Sequence, residues 1–289
     1  MTRERSLDPA LLWARDKYLG PGLYRASREL IKRELRKALF SIVDDLLEET
    51  NQSMPFKPEL LAPKRRIKKI VEAELSKVNA FLIPEIGGFV IKIKSSRHPF
   101  QKRFACAHEI GHTFFFNIDT DPPRREFQYQ KSSYWVEEEF SCAIAREILL
   151  PSASIRETIH KDCPRPSISA IRYLSSLYQV SFDVLRLKVI NDVPLWDCII
   201  FKSSISNGKV ITKGWDISKG ASYRDIPISR VVDKSSKHSQ LFTIISSTFK
   251  KMRLNDKINM NGKEYSIETI LLDYEKPVVM SIITNTELC

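Results

Sequence analysis

The 289 residues carry 46 Lys+Arg against 35 Asp+Glu, a formal net charge of +11, with 43% hydrophobic and 28% charged residues. This is ordinary globular composition, enough for about two domains at ~150 residues each, and it excludes wholesale disorder or a low-complexity chain. The charge favours nucleic acid, an acidic protein or a DNA-bound protein as partner without naming one. No apolar run approaches the ~18 to 20 residues of a membrane span, and residues 1–8 lack the apolar stretch of a secretory signal. The expectation is a soluble, cytoplasmic protein with no membrane partner. Cys106, Cys142, Cys163, Cys198 and Cys289 are odd in number and form no CxxC pair. They read as free, mostly buried thiols.

Apolar residues recur at helical spacings from 8 to 50, among them Leu11, Leu30, Ile31, Leu35, Leu39, Val43 and Leu47. The stretch from Asn51 to Pro58 breaks that pattern. The basic run Lys64-Arg-Arg-Ile-Lys-Lys is expected to open a short helix reaching about Lys77, with its charges solvated. Two β-rich runs flank Gly87-Gly88, and Val90, Lys92 and Lys94 alternate with Ile91 and Ile93. That predicts one or two strands with one wet face. Residues 104–116 are apolar almost all round and read as a buried helix. A polar connection containing Pro122-Pro123 leads to a helix over about 134–150, stopped by Pro151. Residues 167–189 read as two short helices around Val180-Ser181. After Pro194 the runs 198–201, 209–212, 241–245, 265–272 and 278–284 are strand-like, with Asn207-Gly208 and Asn261-Gly262 as hairpin signals. A second, β-rich domain is expected there.

The chemistry is carried by His108-Glu109-Ile110-Gly111-His112, an H-E-x-x-H match. Residues four apart on a helix lie one turn above each other, so both imidazoles can reach one Zn²⁺. Glu109, beside the first of them, is placed to act as general base on an attacking water. A hydrolytic zinc needs a third protein ligand and an open position, and no third histidine follows at metzincin spacing. The acidic run Glu137-Glu138-Glu139 in the downstream helix is the natural source. At about 100° per residue, Glu138 shares a stripe with Cys142, Ala145 and Leu149, and Glu137 one with Ser141, Ile144 and Ile148. Both stripes are apolar, and a buried carboxylate needs a partner. Glu139 projects with Arg146 toward the charged side and is expected to be solvated. Helix geometry leaves Glu138 or Glu137 as ligand. Cys106, two residues before the first histidine, points elsewhere and reads as core. His160, Tyr134, Tyr173, Tyr178 and Arg103 are candidates by type for the oxyanion donor that hydrolysis requires.

The segments Arg103-Phe-Ala-Cys-Ala-His-Glu-Ile-Gly-His and Glu138-Glu-Phe-Ser-Cys-Ala-Ile-Ala-Arg-Glu-Ile-Leu-Leu-Pro together resemble the ImmA/IrrE family of metallopeptidases. That family pairs an R-F-x-x-A-H-E-x-G-H helix with a downstream E-x-x-[AC]-N-x-F-A-x-x-L-L-M-P helix. The resemblance places the third metal ligand on Glu138. Here Cys142 stands where the family usually has Asn, Ser141 for Ala or Cys, and Ile144 for Phe, all read as packing positions. The strong similarity covers about residues 60 to 190.

The resemblance implies an α+β chain: a mostly helical zincin-like metallopeptidase domain with a small sheet, a helix-turn-helix-like segment, then a β-rich, GAF-like domain. The expected divisions are a helical region at 1–60, the peptidase core at 61–165, the helix-turn-helix-like segment at 166–192 and the β-rich domain, a candidate sensor, at 193–289. The implied activity is zinc-dependent endoproteolysis, with His108, His112 and Glu138 as metal ligands and Glu109 as catalytic base. Mn²⁺ is the alternative metal. The implied substrate is a DNA-binding repressor whose cleavage induces stress, DNA-damage or mobile-element genes. The helix-turn-helix-like segment offers few base-reading side chains, chiefly Asp183, Arg186 and Lys188, so packing is favoured over direct DNA contact. The alternative is a DNA-binding or ligand-sensing transcriptional regulator with a structural or vestigial metal site.

Overall fold

A computed structural model describes residues 7–24, 26–206, 209–217, 253–260, 263–272 and 278–285. The expected strand at 241–245, both Asn-Gly hairpin dipeptides and Cys289 lie outside the described residues. The chain divides into two compact units, Met1–Ser152 with Leu177–Ser181, and Ala153–Ser176 with Phe182–Cys289.

The first unit opens with α1 (Pro9–Leu19), capped by the Asp8 carboxylate accepting from the Ala10 amide at 2.9 Å and started by a proline that needs no intrahelical donor. A 3₁₀ turn leads to α2 (Arg28–Glu49), whose Ser27 hydroxyl accepts from the Leu30 amide at 3.2 Å. Ile31, Leu35, Leu39, Val43 and Leu47 form its buried stripe at four-residue spacing, and this face packs on the later helix α4 (Lys131–Leu149).

The expected helix after Lys64 is not formed. A single 3₁₀ turn, Pro63–Arg65, ends at Arg66 in the left-handed region (φ 57°), and β1 (Ile67–Ala73) follows. The β-branched residues Ile67, Ile70 and Val71 suit a pleated surface, and their pairing partner comes from later in the chain. β2 (Ala80–Glu85) and β3 (Gly88–Lys94) make a tight antiparallel hairpin through Gly87 (φ 82°). The sheet order is β1-β3-β2, with β1 and β3 parallel. A Cβ on Gly88 would stand 2.0 Å from the Arg66 carbonyl oxygen, so only glycine admits this approach of β3 to the start of β1. Phe89, Ile91 and Ile93 form the buried face of β3.

α3 (Pro99–His112) packs on β2, on β3 and most extensively on α4. A 3₁₀ turn, Thr113–Phe115, ends it and is held from several sides. The Arg65 guanidinium donates to the Thr113 hydroxyl and carbonyl, both at 3.0 Å, the Tyr18 hydroxyl donates to the Phe114 carbonyl at 2.6 Å, and Lys17 donates to the Phe116 carbonyl at 3.0 Å. The end of α3, where His112 sits, is thereby pinned by the N-terminal helix and by the turn before β1.

In the second unit, α5 (Ser152–Asp162, from its second residue) and α6 (Ile168–Tyr178, up to Ser176) precede α7 (Phe182–Leu187). Gln179 (φ 54°) makes the turn between α6 and α7. The remaining strands β4 (Ile199–Ser206), β5 (Lys209–Ile217), β6 (Arg253–Met260), β7 (Lys263–Leu272) and β8 (Val278–Asn285) pair antiparallel in the order β5-β4-β8-β7-β6. On β7, Tyr265, Ile267 and Thr269 are buried and alternate with the half-buried Ser266 and Glu268. The chain is thus mixed α+β, mostly helical in its first part, with two sheets among the described residues. No helix among the described residues is long and apolar enough to cross a membrane.

Candidate metal centre

The centre is built where α3 crosses α4. α3 carries His108 and His112 on successive turns of one face, and α4 presents Glu138 to both. The two imidazole Nε2 atoms lie 3.0 Å apart, with a Glu138 carboxylate oxygen 3.3 Å from that of His108 and the other oxygen 3.4 Å from that of His112. Donors bound tetrahedrally to one zinc at ~2.0–2.1 Å are separated by roughly 3.3 Å. The two imidazole nitrogens and the Glu138 carboxylate, met through a different oxygen by each ring, thus form a donor triangle of about the size one such ion would need. Among the described residues, the donor atoms of His108, Glu109 and His112, and those of His108, Glu138 and Cys142, also cluster closely enough to hold a cation.

Close approach of the two helices depends on Gly111, where a Cβ would meet the Ser141 carbonyl oxygen at 2.8 Å and its Cα at 2.9 Å. Glu109 is buried between the helices, and burial pushes its carboxyl above the usual range although the two histidines pull it back in part. The hydrogen bonds from His108 and His112 hold Glu138 well below the usual carboxylate range, against its partial burial. Burial alone would depress both imidazoles. For His108 the Cys142 sulfur and Glu138 outweigh it and raise the value to about 10, and for His112 the Glu137 and Glu138 carboxylates raise it. Two imidazoles facing Glu109, Glu137 and Glu138 make an electron-rich pocket that is neutralised by protons or by a cation.

Behind the donor triangle, Glu137 is fully buried and bound to the far side of the His112 ring, 2.7 Å from Nδ1. Arg125 grips the same carboxylate, with Nε 3.0 Å from one oxygen and Nη2 2.6 Å from the other. The second option left open by helix geometry is thus a ring partner, facing away from Nε2. Cys142, expected only to pack, lies 3.5 Å from Nδ1 of His108. Its place on the Glu138 stripe was the available signal. Arg125 had none, because the polar connection that carries it shows no periodicity. Glu139 is not simply solvated: it pairs with Lys32 and with Arg36 (3.5 Å) of α2, and Arg146 is buried. The side of α4 that reads as charged is a polar contact with α2. Cys106 is core, 1% exposed, its thiol pushed up by burial.

Of the five oxyanion-donor candidates, Tyr134 alone stands beside the triangle, one helical turn before Glu138, whose charge raises its pKa. Tyr178 is fully buried, and Arg103 donates to the Phe56 carbonyl at 2.6 Å. Tyr173 bonds Asp162 at 3.1 Å, and His160 lines a surface depression with Arg156 and Leu195, both in the second unit. In the helix-turn-helix-like segment, Asp183 binds Lys202 at 2.7 Å, Lys188 is fully buried, and the Arg186 side chain is 14% exposed.

The helical pair thus sets H-E-x-x-H against a glutamate, beside a three-stranded sheet. Comparison with known proteins gives a match over part of the chain: residues 71–189 match the Peptidase_M78 family model, described as an IrrE N-terminal-like domain. The chain is similar in fold to a Mycobacterium tuberculosis transcriptional regulator, at 14% identity and a TM-score of 0.53, over 86% of this chain and 88% of that one. No curated protein sequence gives a significant match.

Proposed function

We propose that this chain is a zinc-dependent endopeptidase of the ImmA/IrrE type whose substrate is a DNA-binding repressor. The observation that carries the reading is the cluster of His108, His112 and Glu138, with the Nε2 atoms 3.0 Å apart and the two Glu138 oxygens 3.3 and 3.4 Å from one ring each. Zn²⁺ fits these donors, and Mn²⁺ is accommodated by the same two imidazoles and carboxylate. When bound, the ion supplies the Lewis acidity that polarises a peptide carbonyl and acidifies a water. Glu109 acts as general base: its buried carboxylate takes the proton of the attacking water and delivers it to the leaving amine. Tyr134 donates its hydroxyl hydrogen to the oxyanion that develops on the scissile carbonyl. Its 43% exposure, with Trp135 at 64% and Tyr129 at 48%, provides apolar contact for an extended substrate segment. Loss of the repressor would induce stress, DNA-damage or mobile-element genes in the cytoplasm, and the β-rich C-terminal part is assigned a GAF-like sensing role.

The test compares neo-N-termini in cells expressing wild type or Glu109→Gln, together with the metal content of both proteins. Wild type is expected to hold one metal ion and create a defined set of cleavages, and Glu109→Gln to keep the metal and create none. A metal-free wild type, or cleavage by Glu109→Gln, would sink the proposal.

The second reading is a DNA-binding regulator with a structural metal site, favoured by the fold likeness to a protein described as a transcriptional regulator. It is weakened by the burial of Lys188 and the pairing of Asp183 with Lys202, which occupy the segment's base-reading side chains. Salt-dependent, sequence-specific DNA binding that is lost on Arg186→Ala would favour it.

A further inference from the structure

The two histidine rings are held differently on the side facing away from the donor triangle. His108 meets the Cys142 sulfur at 3.5 Å, whereas His112 meets a fully buried carboxylate at 2.7 Å. A neutral imidazole has one N–H and one lone pair, and the partner of one nitrogen decides which nitrogen keeps the lone pair. Glu137 is an acceptor only, because both its oxygens already receive hydrogens from Arg125. When a cation takes the place of the proton between Nε2 and Glu138, the one proton left on the His112 ring is therefore drawn to Nδ1, and Nε2 offers its lone pair to the metal. The charge that does this is balanced by Arg125, whose guanidinium also lies over the Phe116 ring at 4.1 Å and so cannot easily swing away.

We infer that Glu137, locked by Arg125, is a positioning residue: it commits His112 to the Nδ1–H form and thereby sets the affinity of the centre for its metal. This rests on the ligand role proposed for His112. Carboxylates behind a ligating imidazole typically contribute about 10- to 100-fold in metal affinity. An amide cannot replace this one. Whichever oxygen of Glu137 becomes an NH₂, it faces a donor of Arg125, and in one orientation it also faces Nδ1 of His112. That orientation drives the ring proton to Nε2, where it blocks the metal.

The test uses the full chain and measures Zn²⁺ affinity by competition with a chromophoric chelator for wild type, Glu137→Gln and Glu139→Gln. Glu137→Gln is expected to weaken binding about 10- to 100-fold and Glu139→Gln to leave it within about twofold. The tautomer is read separately in the zinc-loaded wild type from long-range ¹H–¹⁵N spectra of the histidine rings, where His112 is expected to carry its hydrogen on Nδ1. This readout needs no variant to fold. A Glu137→Gln protein that binds zinc as tightly as wild type, or a His112 ring protonated on Nε2 in the loaded wild type, overturns the inference and leaves the peptidase reading standing. A wild type that binds no zinc overturns both.

Discussion

Gly111 provides a quantitative test of how the centre is assembled. Replacing it by alanine places a Cβ 2.8 Å from the Ser141 carbonyl oxygen, 2.9 Å from its Cα and 3.2 Å from its carbonyl carbon. These are backbone atoms, so no side chain can rotate to make room. Restoring an ordinary contact of 3.4 Å requires about 0.6 Å of separation between α3 and α4 at this point. Two effects oppose each other. Glycine to alanine in a helix interior gains up to ~1 kcal/mol from propensity, whereas overpacking a close contact costs about 1–3 kcal/mol. The clash wins, leaving a net destabilisation of about 0–2 kcal/mol. The larger consequence falls on the metal. Glu138 is one turn from Ser141, and a site loses function when its donors move by more than about 0.5 Å. Gly111→Ala is therefore expected to weaken Zn²⁺ binding at least tenfold while the fold survives, as measured by chelator competition and denaturant unfolding of the metal-free protein. An alanine variant that is more stable by about 1 kcal/mol and binds zinc like wild type would refute the close-approach argument.

Other substitutions probe separate parts of the unit. Glu138→Ala is expected to abolish stoichiometric zinc binding with little loss of secondary structure, whereas Glu139→Ala removes only surface ion pairs to α2 and costs about 0–1 kcal/mol. Ser141→Ala removes a buried hydroxyl that has no hydrogen-bond partner among the described residues and is expected to raise stability in urea by about 1 kcal/mol. A loss of that size would show the hydroxyl to be satisfied. Tyr18 has its pKa raised by burial from 10.0 to about 12 while its hydroxyl donates to the Phe114 carbonyl. Between pH 10 and 12 the unfolded chain has lost this proton and the folded one retains it, so the contribution is complete below pH 10 and is lost as pH rises through about 12. Tyr18→Phe is expected to flatten the alkaline decline of stability in that window, and an unchanged slope would exclude Tyr18 as its source.

How much was legible in the sequence differs from element to element. Buried stripes such as Ile31, Leu35, Leu39, Val43 and Leu47 repeat with the helix period, so the helical character of 8–50, of α3 and of α4 was readable, whereas the break between α1 and α2 and the start of α3 at Pro99 were not. The Gly87 turn was readable for the same local reason. β1 was not. Its run of lysines and arginines looks like a solvated helix face, and its β character depends on parallel pairing with β3, about twenty residues away, and on the glycine that lets the two approach. The charged side of α4 was misread because no local pattern announces that α2 will cover it with Lys32 and Arg36.

By itself, the sequence determined the chemistry at hand: two histidines four apart on a helix with a glutamate between them, and three glutamates on a second helix, of which periodicity excluded one. Those choices follow from the 3.6-residue period, which is a local property of the chain. Only the tertiary structure gave the remaining two their different partners. It turned Glu138 onto the Nε2 atoms of both rings and Glu137 onto Nδ1 of one, and it brought in Arg125 from the connecting segment and Cys142 from the next turn of α4. Which atom of a ring a carboxylate meets depends on how closely two helices cross, and here a missing side chain at Gly111 sets that distance.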